Sequence, residues 1–238
     1  MTSTNQHPRK VILVTGPAGN LGSAVIEKLR KESVSLVLVD RHPDRIKERF
    51  PDLEDSKDHL LMTNVDLTDP DIVQTAVDTA LDIFGHIDCL VHTTGGFHMG
   101  EQVHEITPDK WNLMMDINVK TLLNTSRSVI PAMVSQHNGT IITIGARPSL
   151  QGKKKMGSYS AAKAAVLRLT ESIAAEGSSS GIKARCIIPG TIDTPENQRA
   201  MPKADRSKWV KPESIAEVIF ETCLNNNLTE TDVIIPLY

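Results

Sequence analysis

Short apolar runs alternate with amphipathic stretches along almost the whole chain. Val11-Ile12-Leu13-Val14, Leu36-Val37-Leu38-Val39 and Ile141-Ile142-Thr143-Ile144 are continuous rather than alternating, as strands read when both faces are covered. Runs of this kind predict strands near 10–15, 35–39, 60–65, 87–92, 139–144, 183–188 and 232–236. Between them, apolar positions at helical spacing predict helices over 20–31, 69–84, 107–136, 158–177 and 212–224. The first helix carries Leu21, Ala24, Val25, Ile26 and Leu29 on its apolar side. Strand and helix in alternation predict an α/β fold, a doubly wound parallel sheet of Rossmann type with helices on both faces. One domain over residues 1–238 accounts for the pattern, with a flexible polar tail at 1–9. Residues 195–211, between Pro195 and Pro212, have no readable period and are expected to form a substrate lid.

The chemistry collects where strands end. The first strand runs into Thr15-Gly16-Pro17-Ala18-Gly19-Asn20-Leu21-Gly22, so a glycine turn joins a strand to a helix start. That context fits dinucleotide binding: Gly16, Gly19 and Gly22 let the backbone approach a pyrophosphate, and the helix-start amides through Asn20 and Leu21 attract its charge. The second strand ends at Asp40, whose carboxylate can accept from ribose hydroxyls and repel a 2′-phosphate. Arg41 beside it tolerates that phosphate, so NAD is the expected cofactor with NADP open. Capping of the next segment is the other reading of Asp40.

Tyr159 and Lys163 stand four residues apart on one helix face. A free phenol, with a pKa near ~10, is a poor acid at neutral pH, and a neighbouring ammonium is expected to pull it downward. A surface pair is the alternative account of the same spacing.

The glycine turn followed by Tyr159-x-x-x-Lys163 resembles the short-chain dehydrogenase/reductase family, and the likeness covers nearly the whole chain. It implies NAD(P)-dependent hydride transfer between a nicotinamide cofactor and a small-molecule carbonyl, alcohol or quinonoid acceptor. Val65-Asp66-Leu67 resembles the family's acidic turn, which places Asp66 and Leu67 at the adenine. His92-Thr93-Thr94-Gly95 stands where the family has Asn-Asn-Ala-Gly, which assigns Thr94 and Gly95 to the cofactor. Asn118 matches the asparagine that holds a water in a proton relay. Pro189-Gly190-Thr191-Ile192-Asp193-Thr194 matches the segment facing nicotinamide and phosphate, bringing in Pro189, Gly190, Ile192 and Thr194. The resemblance thus implies Tyr159, Lys163 and Asn118 as catalytic residues, Tyr159 and Lys163 also touching cofactor.

One position departs from the pattern. The family's catalytic serine falls on Ala146 here, and Ser149 nearby is either its replacement or a plain loop residue. Dihydropteridine reductase, a branch of the family with alanine at this place, reduces a quinonoid pterin. Its Met-Pro-x-Ala-Asp and Ser-x-Trp strings resemble Met201 to Asp205 and Ser207 to Trp209. A non-catalytic dinucleotide sensor is the competing class, in which Ala146 and His92-Thr93-Thr94 reflect lost chemistry.

Composition narrows the partners. A net charge of −3 argues against nucleic acid or membrane as the main partner, and no run of 18 apolar residues is present. Residues 1–9 lack a signal-peptide core, so a cytoplasmic location is expected. Cys89, Cys186 and Cys223 have no ligand spacing, so core thiols and no metal are expected. Lys153, Lys154 and Lys155 read either as an anion-attracting mouth or as a solvated run, and Trp209 as a ligand contact or a lid anchor. Leu122, Leu123, Ile130 and Met133, with Val166, Leu169 and Ile173, suggest a homodimer or homotetramer, or burial within the monomer.

Overall fold

A computed structural model describes residues 9–54, 56–225 and 232–238. Apart from Arg9, which pairs with Asp58, the expected tail lies outside these residues. The strands are β1 (Lys10–Thr15), β2 (Val34–Val39), β3 (His59–Met62), β4 (Cys89–His92), β5 (Gly139–Ile144), β6 (Ile182–Pro189) and β7 (Ile234–Leu237). They form one seven-stranded sheet in the order β3-β2-β1-β4-β5-β6-β7, parallel at every pairing.

Helices α1 (Asn20–Leu29), α2 (Pro43–Arg49), α3 (Pro70–Phe84), α4 (Pro108–Met115), α5 (Thr121–Gln136), α6 (Gly157–Gly177), α7 (Pro195–Ala200) and α8 (Pro212–Leu224) connect the strands. Because strand side chains alternate, each strand feeds two cores. Ile12, Val14, Leu36 and Leu38 pack with Val25, Ile26 and Leu29 of α1 and Ile215 and Ile219 of α8. Val11, Leu13, Val37 and Val39 pack on the other face with Val73 and Val77 of α3 and Val129 and Met133 of α5.

One expectation needs correction, and two others gain detail. The helix expected over 107–136 is interrupted by a π turn at Asp116–Lys120. There the Asn118 side-chain amide donates to the Met114 carbonyl at 3.0 Å, and the Thr121 amide reaches back to the Asp116 carbonyl, so the ladder locally widens. Residues 195–211 are not without structure: Thr194 accepts from the Asn197 amide, Pro195 opens α7, and Ile192 bridges Val210. Within that segment Arg206 lies over the Trp209 ring at 5.7 Å, which fits an anchor. Of the residues read as surplus apolar surface, Leu122, Met133 and Val166 are buried in the monomer and Ile130 and Ile173 pack against its core. Leu123 remains outside at 52 % exposure, with Trp111, Leu113 and Val134 also exposed.

Candidate active site

The expected residues gather at the carboxyl edge of the sheet, around the gap between β1 and β4 where strand order reverses. β1 ends at Thr15, and Gly16 turns the chain with a left-handed φ of 65°. A Cβ on Gly22 would lie 2.2 Å from the Gly16 carbonyl oxygen, so only glycine lets α1 begin this close to the turn. Gly19, the N-cap of α1, offers no side-chain acceptor, which leaves the opening amides of Asn20 and Leu21 for an external anion. This cradle fits a dinucleotide pyrophosphate. The Asn20 side chain also donates to Glu196 of α7 at 2.6 Å, tying the turn to that helix.

Just past β2, Asp40 is buried and accepts from the His42 amide at 2.9 Å. The N-cap of α2 is His42 and not Asp40, so the capping reading fails, and Arg41 is exposed. Past β3, Asp66 accepts from the Thr68 amide and hydroxyl at 2.9 and 2.8 Å. Those bonds, helped by the charges of Arg41 and Lys120, hold its carboxyl below the usual range. Leu67 is buried, and its carbonyl accepts from Asn124 at 3.0 Å.

The end of β4 is stitched to its neighbours by hydroxyls. Thr93 donates to the Thr15 carbonyl at 2.6 Å, and the Thr94 amide donates to the Thr15 hydroxyl at 3.3 Å. His92 is buried with Nδ1 3.1 Å from the Thr15 hydroxyl and Nε2 3.3 Å from the Thr121 hydroxyl. Thr121 gives its own proton to the Ile117 carbonyl at 2.9 Å, so Nε2 carries the hydrogen and Nδ1 accepts from Thr15. Burial, with the Lys163 charge, pushes His92 down to about 3, and it stays neutral.

Asn118 and Lys163 converge beside this post. The Asn118 amide also donates to the Gly96 carbonyl at 3.1 Å, and its oxygen accepts from the Gly96 amide at 3.2 Å. A Cβ on Gly95 would sit 2.8 Å from Asn118 Oδ1 and 3.2 Å from Lys163 Nζ, so the loop needs glycine there. Lys163 is buried and donates to the Ile144 carbonyl at 2.9 Å. Tyr159, in the first turn of α6, meets the edge of Phe97 with ring centroids 4.9 Å apart.

Burial alone pushes the Tyr159 phenol up to about 12, the reverse of the shift expected from a lysine one turn away. Burial likewise brings Lys163 down to about 8, and its hydrogen bond goes to Ile144. The phenol therefore keeps its proton at neutral pH.

After β6, Pro189 ends the strand and the Gly190 amide donates to the Leu237 carbonyl at 2.7 Å. Ile192 is half-buried, and the Thr194 hydroxyl is engaged in capping α7. Ala146 follows the end of β5 with no hydroxyl, while the Ser149 hydroxyl is enclosed and has no hydrogen-bond partner among the described residues. Lys153, Lys154 and Lys155 are exposed. Sequence reasoning missed the His92 bridge and Phe97. An isolated phenylalanine after Gly95-Gly96, in a chain with 3 % aromatics, was the available signal for the second.

The sequence model described as short chain dehydrogenase matches residues 10–205. An uncharacterized oxidoreductase of Staphylococcus saprophyticus is 34 % identical over 187 residues, covering 78 % of this chain and 80 % of its own. One from Staphylococcus haemolyticus is 29 % identical over 210 residues, covering 88 % of this chain and 89 % of its own. An NAD+-bound xylitol dehydrogenase has a TM-score of 0.85 at 21 % identity over 95 % of this chain and 96 % of that chain. ElxO with NADP bound has a TM-score of 0.86 at 22 % identity over 96 % of this chain and 97 % of that chain. At these identities the two structures speak for a shared fold.

Proposed function

Because the chain belongs to the short-chain dehydrogenase/reductase family, we propose that it reduces a small unsaturated acceptor with hydride from a nicotinamide dinucleotide, Tyr159 supplying the proton. The carrying observation is that Asn118 and Lys163 meet at Gly95 while burial keeps the Tyr159 phenol protonated. The dinucleotide, when bound, supplies the hydride. Gly16, Gly19, Asn20, Leu21 and Gly22 cradle its pyrophosphate, and Asp66, Leu67, Thr94, Gly95, Pro189, Gly190, Ile192 and Thr194 line the rest of the cleft. Asp40 favours NAD over NADP, because a buried carboxylate repels a 2′-phosphate, whereas Arg41 lies out in solvent.

A protonated phenol delivers a proton to an acceptor more readily than it removes one from an alcohol, which favours the reductive direction. Lys163 holds the β5 end to α6 and carries a charge at neutral pH, and Asn118 anchors the relay that returns the proton. Ala146 leaves no hydroxyl to polarise a ketone, and this favours a quinonoid acceptor of the kind dihydropteridine reductase uses as the second reading. Exposed Leu123, Trp111, Leu113 and Val134 on α4 and α5 supply a face for a homodimer or homotetramer, and a cytoplasmic location fits an enzyme of this kind.

The test is oxidation of NADH and NADPH against panels of carbonyls and quinonoid pterins. NADH is expected to be preferred, and Tyr159→Phe to lower carbonyl turnover roughly 10²–10⁴-fold with cofactor affinity little changed. Cofactor binding without turnover on any substrate would sink the reading. Ala146→Ser raising ketone turnover would favour the carbonyl acceptor, and no change would favour the quinonoid one.

A further inference from the structure

Two of the three cysteines lie face to face at the end of the sheet remote from Tyr159. Cys89 is the first residue of β4, and Cys223 is in the last turn of α8. Both are free and buried in the core that α8 shares with α1, and their Sγ atoms are 2.8 Å apart. A disulfide needs about 2.05 Å, so the sulfurs have roughly 0.8 Å to close. Cys186 belongs to the opposite face, with Leu167 and Ile188, and has its sulfur against Gly145.

We propose that Cys89 and Cys223 form an oxidisable pair, which a peroxide converts into an intrachain disulfide that fixes α8 to β4. One thiol attacks the peroxide, an S–O bond forms as O–O breaks, and water leaves with a sulfenic acid behind. The second sulfur attacks that sulfenic acid, S–S forms, and a second water departs. The two thiols lose two electrons in all, and the peroxide is reduced to water. A small oxidant suits the site, since a bulky disulfide reagent cannot reach two enclosed sulfurs.

Access runs through the end of α8. Cys223 stands one residue before the helix terminus at Leu224, where fraying is less costly than global opening. Lys10 donates to the Cys223 and Leu224 carbonyls at 2.9 and 3.3 Å, and its charge favours thiolate at Cys89. Burial outweighs that charge and raises the Cys89 thiol, so the bond forms slowly under sustained oxidation and not as a rapid signal.

The experiment treats the folded protein with hydrogen peroxide, alkylates remaining thiols after denaturation, and maps peptides without reduction. Before alkylation the expected product is lighter than the reduced protein by about 2 Da, and after it the map shows a Cys89–Cys223 cross-linked peptide with Cys186 alone alkylated. Its thermal midpoint should rise by roughly 10 °C over the reduced form, because a long loop has been closed. Cys186→Ser should still cross-link, and Cys223→Ala should not. Three alkylated cysteines after treatment, separate over-oxidation of the two sulfurs, or a link through Cys186 would each overturn the proposal.

Discussion

His92 shows how much a single side chain can hold together at a strand end. Its imidazole hydrogen-bonds through both nitrogens and spans β1 to the start of α5. Its value is about 3 when folded against 6.5 when exposed. Unfolded chains therefore bind the extra proton as pH drops, and stability present above 6.5 is lost on the way toward 3. Between pH 6.5 and 4.5 the loss from this group should be about 2 kcal/mol. Denaturant unfolding of the protein and of His92→Asn across that range checks it, the variant being flatter. Equal slopes would show that His92 does not govern the acid limb. The residue types at the site were readable, because Tyr159, Lys163, Asn118 and the three glycines sit in ordered motifs. The direction of the Tyr159 shift was not, since spacing on a helix says nothing of how deeply the phenol is covered or where Lys163 sends its hydrogen bond.

Among the elements, the π turn has the clearest local cause. Asn118 serves Met114 and Gly96 at once, so the widened turn and the Gly95-Gly96 loop are held by one side chain. Asn118→Ala leaves two carbonyls and an amide without that partner. The expected cost is about 2 kcal/mol in denaturant unfolding, together with reduced turnover. A change below about 0.5 kcal/mol would show that the turn stands without the side chain. Such a turn escapes periodicity, because one extra residue shifts the apolar stripe without erasing it. Helix α2 escaped for a different reason: only Ile46 is buried, so it has no stripe. Pro43 at its start and Lys47 and Arg49 at its end were the legible signals. The strands were the most readable elements, since their apolar runs are too short for helices and rich in β-branched residues.

At the scale of the molecule, the alternation of strand and helix was enough to give the sheet and the edge that bears the site. Strand ends shifted by a few residues, as at β3 and β4, because hydrogen-bond pairing and not hydropathy decides where a ladder stops. What the pattern did not disclose is how the apolar residues divide. Val25 belongs to the core beneath α1 and Val77 to the one beneath α3, with the sheet between them. Each is closed to solvent, and truncation to alanine should cost roughly 2 kcal/mol through lost burial and the cavity left behind. The two variants and their double are to be compared in denaturant, and a departure from simple summation beyond about 0.5 kcal/mol would contradict independence. The sheet is thus a bulkhead between two compartments. Damage on one side cannot be relieved by repacking on the other, and the molecule tolerates injuries as two separate accounts of strain that simply add.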